Sequence, residues 1–417
     1  MMRRAFAVVF LALLSLVGMA PPAAAQLPPP EAPEIGPPPV QYNFAPPGAR
    51  SLAMGAAFIG LADDATASES NPAGLTVLTK PEFSAHFRYT EFDNTVPNTV
   101  SGQGFETFTS RVGSPSFFSV VYPWQKAAIS LYYQRAADFR SGSRFDGFID
   151  RDLYNEDLVE VAFRAENLGI SAAFKLGDKV SIGGSARATR VRTDSLQRVI
   201  LVFPFANGNF VGRIVNDAAI DSSETKVTFN AGILITPSSK FSLGAVYKKG
   251  ADLEFNQTVT SEVDAQDLGP FADDPVRQSI RVTVPDVFGG GIAIRPTDRL
   301  TLVADVVQIQ YSQADLGVAG RNGYQRFGQG GREPLEDATE LHGGLEYTWT
   351  SGSDWIFSMR GGYYLNPDHD GLGGVDSKQN HVTFGGGVVV KNKLQVDGAV
   401  NIADAIKEGL ISFVVRF

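Results

Sequence analysis

From residue 82 onward the chain repeats one pattern: segments of alternating apolar and polar residues whose connections are by turns short and long. In "EFSAHFRYTEF", at 82–92, an extended backbone puts Phe83, Ala85, Phe87 and Tyr89 on one face and Ser84, His86, Arg88 and Thr90 on the other. "KVTFNAGILI", "TELHGGLEYTW" and "DWIFSMRGGYY" behave alike. Fourteen such segments run at about 82–92, 113–122, 126–137, 157–175, 179–193, 223–236, 240–256, 277–295, 299–312, 338–349, 354–364, 379–391, 393–403 and 409–417. Connections at 123–125, 176–178, 237–239, 296–298, 350–353 and 392 are one to four residues long and carry turn chemistry, as in "LGDKV" and "RPTDR". Those at 93–112, 138–156, 194–222, 257–276, 313–337 and 365–378 read as longer polar loops, and only 404–408 is short on that side. Strict alternation of short and long ends is how bacterial outer-membrane barrels are connected, with periplasmic turns and extracellular loops.

A soluble β-sandwich also alternates, but it would leave an apolar outer face in water. Here the apolar set repeatedly ends in aromatics near the short turns: Tyr122, Trp124, Phe174, Phe241, Trp349 and Trp355. Aromatic girdles at a lipid–water boundary account for that placement. The chain ends "GLISFVVRF", with Phe413, Val415 and terminal Phe417 on one face. Such an ending resembles the signal read by barrel-assembly machinery, which is thereby an expected partner. The expected fold is all-β, a 14-stranded antiparallel transmembrane β-barrel in the cell outer membrane.

The rest of the composition removes alternatives. A net charge of −9 with no Lys/Arg run above two leaves no basic footprint for nucleic acid. The absence of cysteine excludes disulfides, thiolate catalysis, Cys-based zinc sites and a lipoprotein anchor. Arg3 and Arg4, the apolar "AFAVVFLALLSLVG" and the small-residue site Ala23-Ala24-Ala25 read as a signal peptide over residues 1–25. Without those two arginines the charge is −9 − 2 = −11. Residues 26–47, rich in Pro, suit an extended polyproline tether and exclude helix or central strand. The barrel is assigned to 80–417.

Residues 48–79 stand apart. "GARSLAMGAAFIGLADDATASESNPAGL" is Gly/Ala-rich, apolar and turn-rich, and it precedes every strand. A barrel of fourteen strands encloses more space than its own small lumen-facing Gly, Ala, Ser and Thr can fill. This segment is therefore expected to lie in the lumen as a hatch or plug. That stretch, together with "LGISAAFKLGDKVSIGGSAR", "VPDVFGGGIAIRPTDRLTLVADVVQIQYS" and "ELHGGLEY", resembles the FadL/TodX-type family of outer-membrane transporters for hydrophobic compounds. The likeness covers about residue 45 to Phe417. It implies a fourteen-strand barrel with an N-terminal hatch, and passive uptake of long-chain fatty acids or other apolar molecules such as aromatic hydrocarbons. It further implies a ligand taken from an extracellular hydrophobic groove, a hatch that shifts to open a route through the wall, and a monomer. Asn71, Pro72 and Ala73 match the family's hatch turn. Pro72 restricts one dihedral and Asn71 can hydrogen-bond nearby backbone, as a defined gating latch requires.

A fatty acid needs a greasy site with one or two cations for its head. Strand parity points Arg88, Arg187, Arg360 and Lys248 into the lumen as ligand-binding candidates. Arg164 joins them less securely, because alternation changes phase near Glu166 and Asn167. Glu346, Asp305 and Asp397 also point inward, and Arg–carboxylate networks are common inside barrels. The stretch at 201–212, "LVFPFANGNFVG", offers apolar groove material in a loop. "NPDHDGLGGVD" at 366–376 lacks a full calcium-loop pattern, so no metal is assigned. His86, His342, His369 and His381 come with no nucleophile–acid pattern, so no enzyme activity or catalytic residue is expected. No nucleotide motif suggests a cofactor. Transport of hydrophobic molecules is the first reading. A structural or secretion-accessory barrel is the second, and an aqueous porin the third.

Overall fold

The protein is described by a computed structural model covering residues 45–97, 105–150, 153–204, 210–265, 269–272, 274–313, 316–318, 324–325, 332–333, 336–367 and 379–417. The expected signal peptide, most of the Pro-rich tether, His369 and residues 368–376 of the acidic stretch lie outside the described residues. Among the described residues twenty strands occur in chain order. The first six are β1 (Glu82–Pro97), β2 (Phe105–Pro123), β3 (Ala127–Asp150), β4 (Leu153–Lys175), β5 (Val180–Pro204) and β6 (Phe210–Ser238). Then come β7 (Phe241–Lys248), β8 (Asp252–Ala265), β9 (Gly269–Ala272), β10 (Val276–Thr283), β11 (Val287–Thr297) and β12 (Leu300–Ile309). Three short pieces follow, β13 (Leu316–Val318), β14 (Tyr324–Gln325) and β15 (Arg332–Glu333). The last five are β16 (Ala338–Ser351), β17 (Trp355–Asn366), β18 (Gln379–Val390), β19 (Leu394–Ile402) and β20 (Ile406–Arg416).

Antiparallel neighbours pair around a ring, and β1 closes it by pairing with both β2 and β20. The wall has fourteen spans, because β7–β8 and β10–β11 are each one span broken by a kink. Where the spans pair on both sides, closure gives their backbone donors and acceptors partners, which is what a hydrocarbon solvent demands. The lipid face carries large exposed apolar side chains, among them Phe83, Phe87, Leu168, Ile170 and Phe413. Tyr122, Trp124, Phe174 and Trp355 stand exposed beside the short turns, as a girdle requires.

Two expectations need correction. The stretches 93–112, 138–156, 194–222 and 257–276 are mostly strand, not loop. The strands β3 to β6 are 24, 23, 25 and 29 residues long, against the roughly 10 residues that cross a bilayer. Residues 201–204 and 210–212 accordingly belong to a hairpin arm and not to a free loop. Nor does alternation slip near Glu166: Val161, Phe163, Ala165, Asn167 and Ser171 are all buried on one face of β4. What reverses is the solvent. Above the bilayer the outside meets water, so charged residues face out and apolar ones in. Arg164 therefore lies on the outer face, with its Nε 3.5 Å from Asp138 Oδ2. The actual irregularity is a bulge in β3 between Arg135 and Ala137.

The lumen is occupied by residues 45–80. They form α1 (Ala49–Ala53), α2 (Ala67–Ser70) and a 3₁₀ turn (Pro72–Val77), nearly all buried. Helices this short are not stable alone; the surrounding wall holds them.

Candidate functional site

Inward-facing small polar side chains tie the plug to the wall, strand after strand. Ser412 on β20 accepts from Ala49 N at 2.9 Å, and Thr383 on β18 accepts from Gly55 N at 2.9 Å. Asp305 on β12 accepts from Phe58 N and Ile59 N at 2.5 and 2.8 Å. Ser242 on β7 donates to Gly60 O at 2.7 Å, and Ser171 on β4 to Ser68 O at 2.7 Å. Asn230 on β6 donates to Glu69 O at 2.9 Å. These side chains satisfy plug backbone groups that would otherwise be buried without partners. Wall glycines make the approach possible: a Cβ on Gly344 would lie 2.3 Å from Met54 O, and one on Gly362 would lie 2.1 Å from Gly55 N.

Asn71 is fully buried at the junction of plug and wall. Its Oδ1 accepts from Ala73 N at 3.3 Å, while Nδ2 donates to Ile59 O at 3.0 Å and to Ile233 O on β6 at 3.2 Å. Pro72 opens the 3₁₀ turn, where a missing N–H costs nothing. One side chain thus closes the turn, holds the plug to itself and holds it to the wall.

The four candidate cations separate into three groups. Lys248 and Arg187 converge on Glu69 of α2: Lys248 Nζ lies 2.9 and 3.1 Å from its two oxygens, and Arg187 Nη1 lies 3.5 Å from Oε1. Arg360 donates to Glu346 at 2.6 Å and to Asp397 at 2.7 Å. Glu346 also takes both Nε and Nη2 of plug residue Arg50, at 2.9 and 2.8 Å, and Arg50 pairs with Asp63. Arg88 stands alone of the four, 4.0 Å from Glu408 Oε1, with its buried Nε unpartnered. Asp305 meets plug amides and, among the described residues, no arginine.

Glu69 and Arg50 were not picked out by sequence reasoning, although a signal was present. A carboxylate or guanidinium inside an apolar segment bound for burial needs an opposite charge.

Beside Lys248 an enclosed cavity of about 20 Å³ is lined by Ile59, Val246, Val287, Val307, Glu340 and His342, among others. It has room for about one water molecule. Directly above, Phe163, Ala165, Val191, Ala251, Leu253 and Phe255 form a buried apolar cluster. The two wall cations that hold Glu69 therefore lie beneath a buried apolar cluster. The wall also parts: β2 and β3 pair only from Phe117–Gln134 down to Pro123–Ala128, and above that each pairs on its other side alone. Among the described residues no group of three or more His, Asp or Glu is placed to hold a metal.

No curated protein sequence matches the chain. Solved structures do match in fold. A Pseudomonas aeruginosa FadL homologue superposes with a TM-score of 0.65 at 14% identity, covering 91% of this chain and 98% of that one. The P. putida toluene transporter TodX gives 0.62 at 16%, over 90% and 99%. The Ralstonia pickettii toluene transporter TbuX gives 0.59 at 18%, again over 90% and 99%. The family model for outer membrane protein transport proteins (OMPP1/FadL/TodX) matches residues 46–401. A plugged fourteen-span barrel with a greasy lumen, read together with that match, places the chain in the OMPP1/FadL/TodX family of outer-membrane transport proteins.

Proposed function

We propose that the protein passes long-chain fatty acids down their gradient across the outer membrane, and that the cargo's own carboxylate opens it. The carrying observation is the plug carboxylate Glu69, clamped by Lys248 and Arg187 under the apolar cluster. A fatty acid whose tail fills that cluster brings a second carboxylate to the same cations. Exchange leaves Glu69 without its charge partners and removes one of the plug's strongest ties to the wall, because an unpaired buried charge is costly. Asn71, Pro72 and Ala73 then form the hinge-side latch on which the plug re-seats. On this reading the chain works as a monomer embedded in outer-membrane lipid, placed there by barrel-assembly machinery through Phe417. It needs no catalysis, cofactor or energy coupling.

Neutral cargo is the alternative, since TodX and TbuX are toluene transporters. An uncharged ring offers nothing to exchange with Glu69, which favours the fatty acid. The packed lumen weighs against an aqueous porin.

The test is uptake of labelled oleate and of labelled toluene by a Gram-negative host lacking its own fatty-acid transporter. Cells carry the protein, Glu69→Gln, Asn71→Ala/Pro72→Ala or empty vector, at equal outer-membrane levels. Oleate uptake above vector is expected, with Glu69→Gln raising it about three-fold or more, since one tie to Lys248 weakens by roughly 1 kcal/mol. Toluene uptake without oleate uptake would replace this reading with the neutral one. Uptake of neither by an inserted barrel would favour a secretion-accessory role. The latch variant is expected to lose most of its oleate uptake; unchanged uptake would remove Asn71 from gating.

A further inference from the structure

A second seam opens in the wall, on the far side of the apolar cluster from β2 and β3. Pairing of β6 with β8 stops at Ala219 opposite Thr258, and pairing with β7 resumes at Asn230 opposite Lys248. Lys249 N still donates to Phe229 O at 2.8 Å. Through the same stretch β6 stays paired with β5, and β8 with β10. One seam has parted, and no strand has unfolded.

Its cause is a pair of facing kinks, at 249–251 and 284–286. Pro285 offers no N–H to a ladder. Gly250 lets the two chains touch, since a Cβ there would lie 1.8 Å from Val284 O. Val284 N donates to Ala251 O at 2.8 Å. Asp286 gathers Gly250 N at 2.9 Å, Lys249 Nζ at 2.9 Å and Tyr247 OH at 2.7 Å. The pinch aims Leu253 and Phe255 into the lumen, where they are 1% and 2% exposed.

The seam sits at a definite height. Tyr247 packs against Phe229 and Phe288 on the outer face, with ring centroids 5.7 and 4.9 Å apart. Such aromatics mark the bilayer boundary. Immediately above, Asp252, Glu254 and Asn256 are exposed. The unpaired seam therefore has a polar outer rim at headgroup level and packed apolar side chains behind it. A side chain bridges it: Glu224 of β6 accepts from Glu254 N of β8, a donor that strand pairing has left free. Lys226 Nζ lies 2.7 Å from Glu224 Oε1, and its side chain is 45% exposed.

We propose that this seam is a side entrance for single-headed anionic amphiphiles already dissolved in the outer leaflet, with Glu224 as its bar and Lys226 as the first cation the head meets. A carboxylate that takes Lys226 loosens Glu224 from its place across the seam. The tail then meets Leu253 and Phe255, and the head can pass down to Lys248 and Arg187. This rests on the fatty-acid reading above.

The chain has no cysteine, so a single one can be labelled cleanly on intact cells. Ser222→Cys sits on β6 beside the bar. Arg192→Cys, on β5 with a side chain 61% exposed in the native chain, is the control. Both are treated with a bulky membrane-impermeant maleimide before oleate uptake is measured, and the extent of labelling is read by mass. Labelling Ser222→Cys is expected to slow uptake about five-fold or more, because passage through a gate limits the rate. Labelling Arg192→Cys should change nothing. Glu224→Ala, unlabelled, is expected to raise the initial rate about two-fold. Complete labelling at 222 with an unchanged rate would overturn the side entrance while leaving transport intact. Failure of the unlabelled native protein to take up oleate overturns the fatty-acid reading, and this inference with it.

Discussion

Gly344→Leu is expected to convert a closed barrel into an ion-conducting one. The lumen is shut by the fit of residues 45–80 against the wall, and the closest contacts are backbone against backbone. A Cβ on Gly344 would lie 2.3, 2.5 and 2.7 Å from Met54 O, C and Cα. None of these atoms belongs to a flexible side chain that could turn away. The added branch must therefore lift the plug's first half. That movement breaks the bonds that Phe58 N and Ile59 N donate to Asp305 and that Gly55 N donates to Thr383. Each is a buried polar contact worth about 1–3 kcal/mol when broken. The ring of strands does not depend on the plug for its pairing, so it remains. In planar bilayers the native protein is expected to show little conductance, and Gly344→Leu discrete openings. Cells carrying the variant should also become sensitive to large hydrophilic antibiotics. Gly290→Leu is the control, because a Cβ there meets nothing within 4 Å. Equal conductance from all three proteins would mean that the plug does not seal the lumen.

Which parts of this arrangement could be read from the sequence follows from which forces are local. Fourteen spans were legible because lipid on one side imposes a period of two, and because turn residues mark one end of each span. Parity alone placed Arg187, Arg360 and Lys248 inward. It could not supply their partners, since Glu69 lies 118 residues from Arg187 and 179 from Lys248. Above the bilayer the same parity misleads. With water on the outside, Phe163, Ala165 and Val191 turn in while Arg164, Arg190 and Arg192 turn out. A reading tuned to lipid takes the arms beyond them, at 138–156 and 194–222, for polar loops. The seam at β6 was hidden for another reason. Gly250 and Pro285 are each recognisable breakers, but a gap in the wall arises only when two broken spans lie side by side, and adjacency belongs to the folded ring.

Arg360 tests whether an inward cation is there for cargo or for the barrel. It is buried with its two carboxylates, and Asp397 has few other donors: Gln395 Nε2 at 2.7 Å is the additional one recorded. Glu346, by contrast, keeps both hydrogen bonds from Arg50 when Arg360 is removed. Arg360→Met therefore strands Asp397 in particular, and breaking such a buried pair costs about 3–5 kcal/mol. The variant is expected to unfold at lower temperature, seen as an earlier loss of the compact barrel band on heating in SDS. Its oleate affinity, measured on the fraction still folded, should be unchanged. Arg360→Met/Asp397→Asn should regain most of the lost stability, because a neutral amide beside Gln395 no longer needs a cation. Lys248→Met is expected to behave in the opposite way. The Glu69 carboxylate would keep Arg187 beside it, so the barrel should melt close to the native temperature, while oleate uptake falls by about ten-fold, as the loss of one charged head contact predicts. If instead Arg360→Met lowered oleate affinity and left the melting temperature alone, the cargo head would sit over α1 and not over α2. The exchange at Glu69 would then have to be given up.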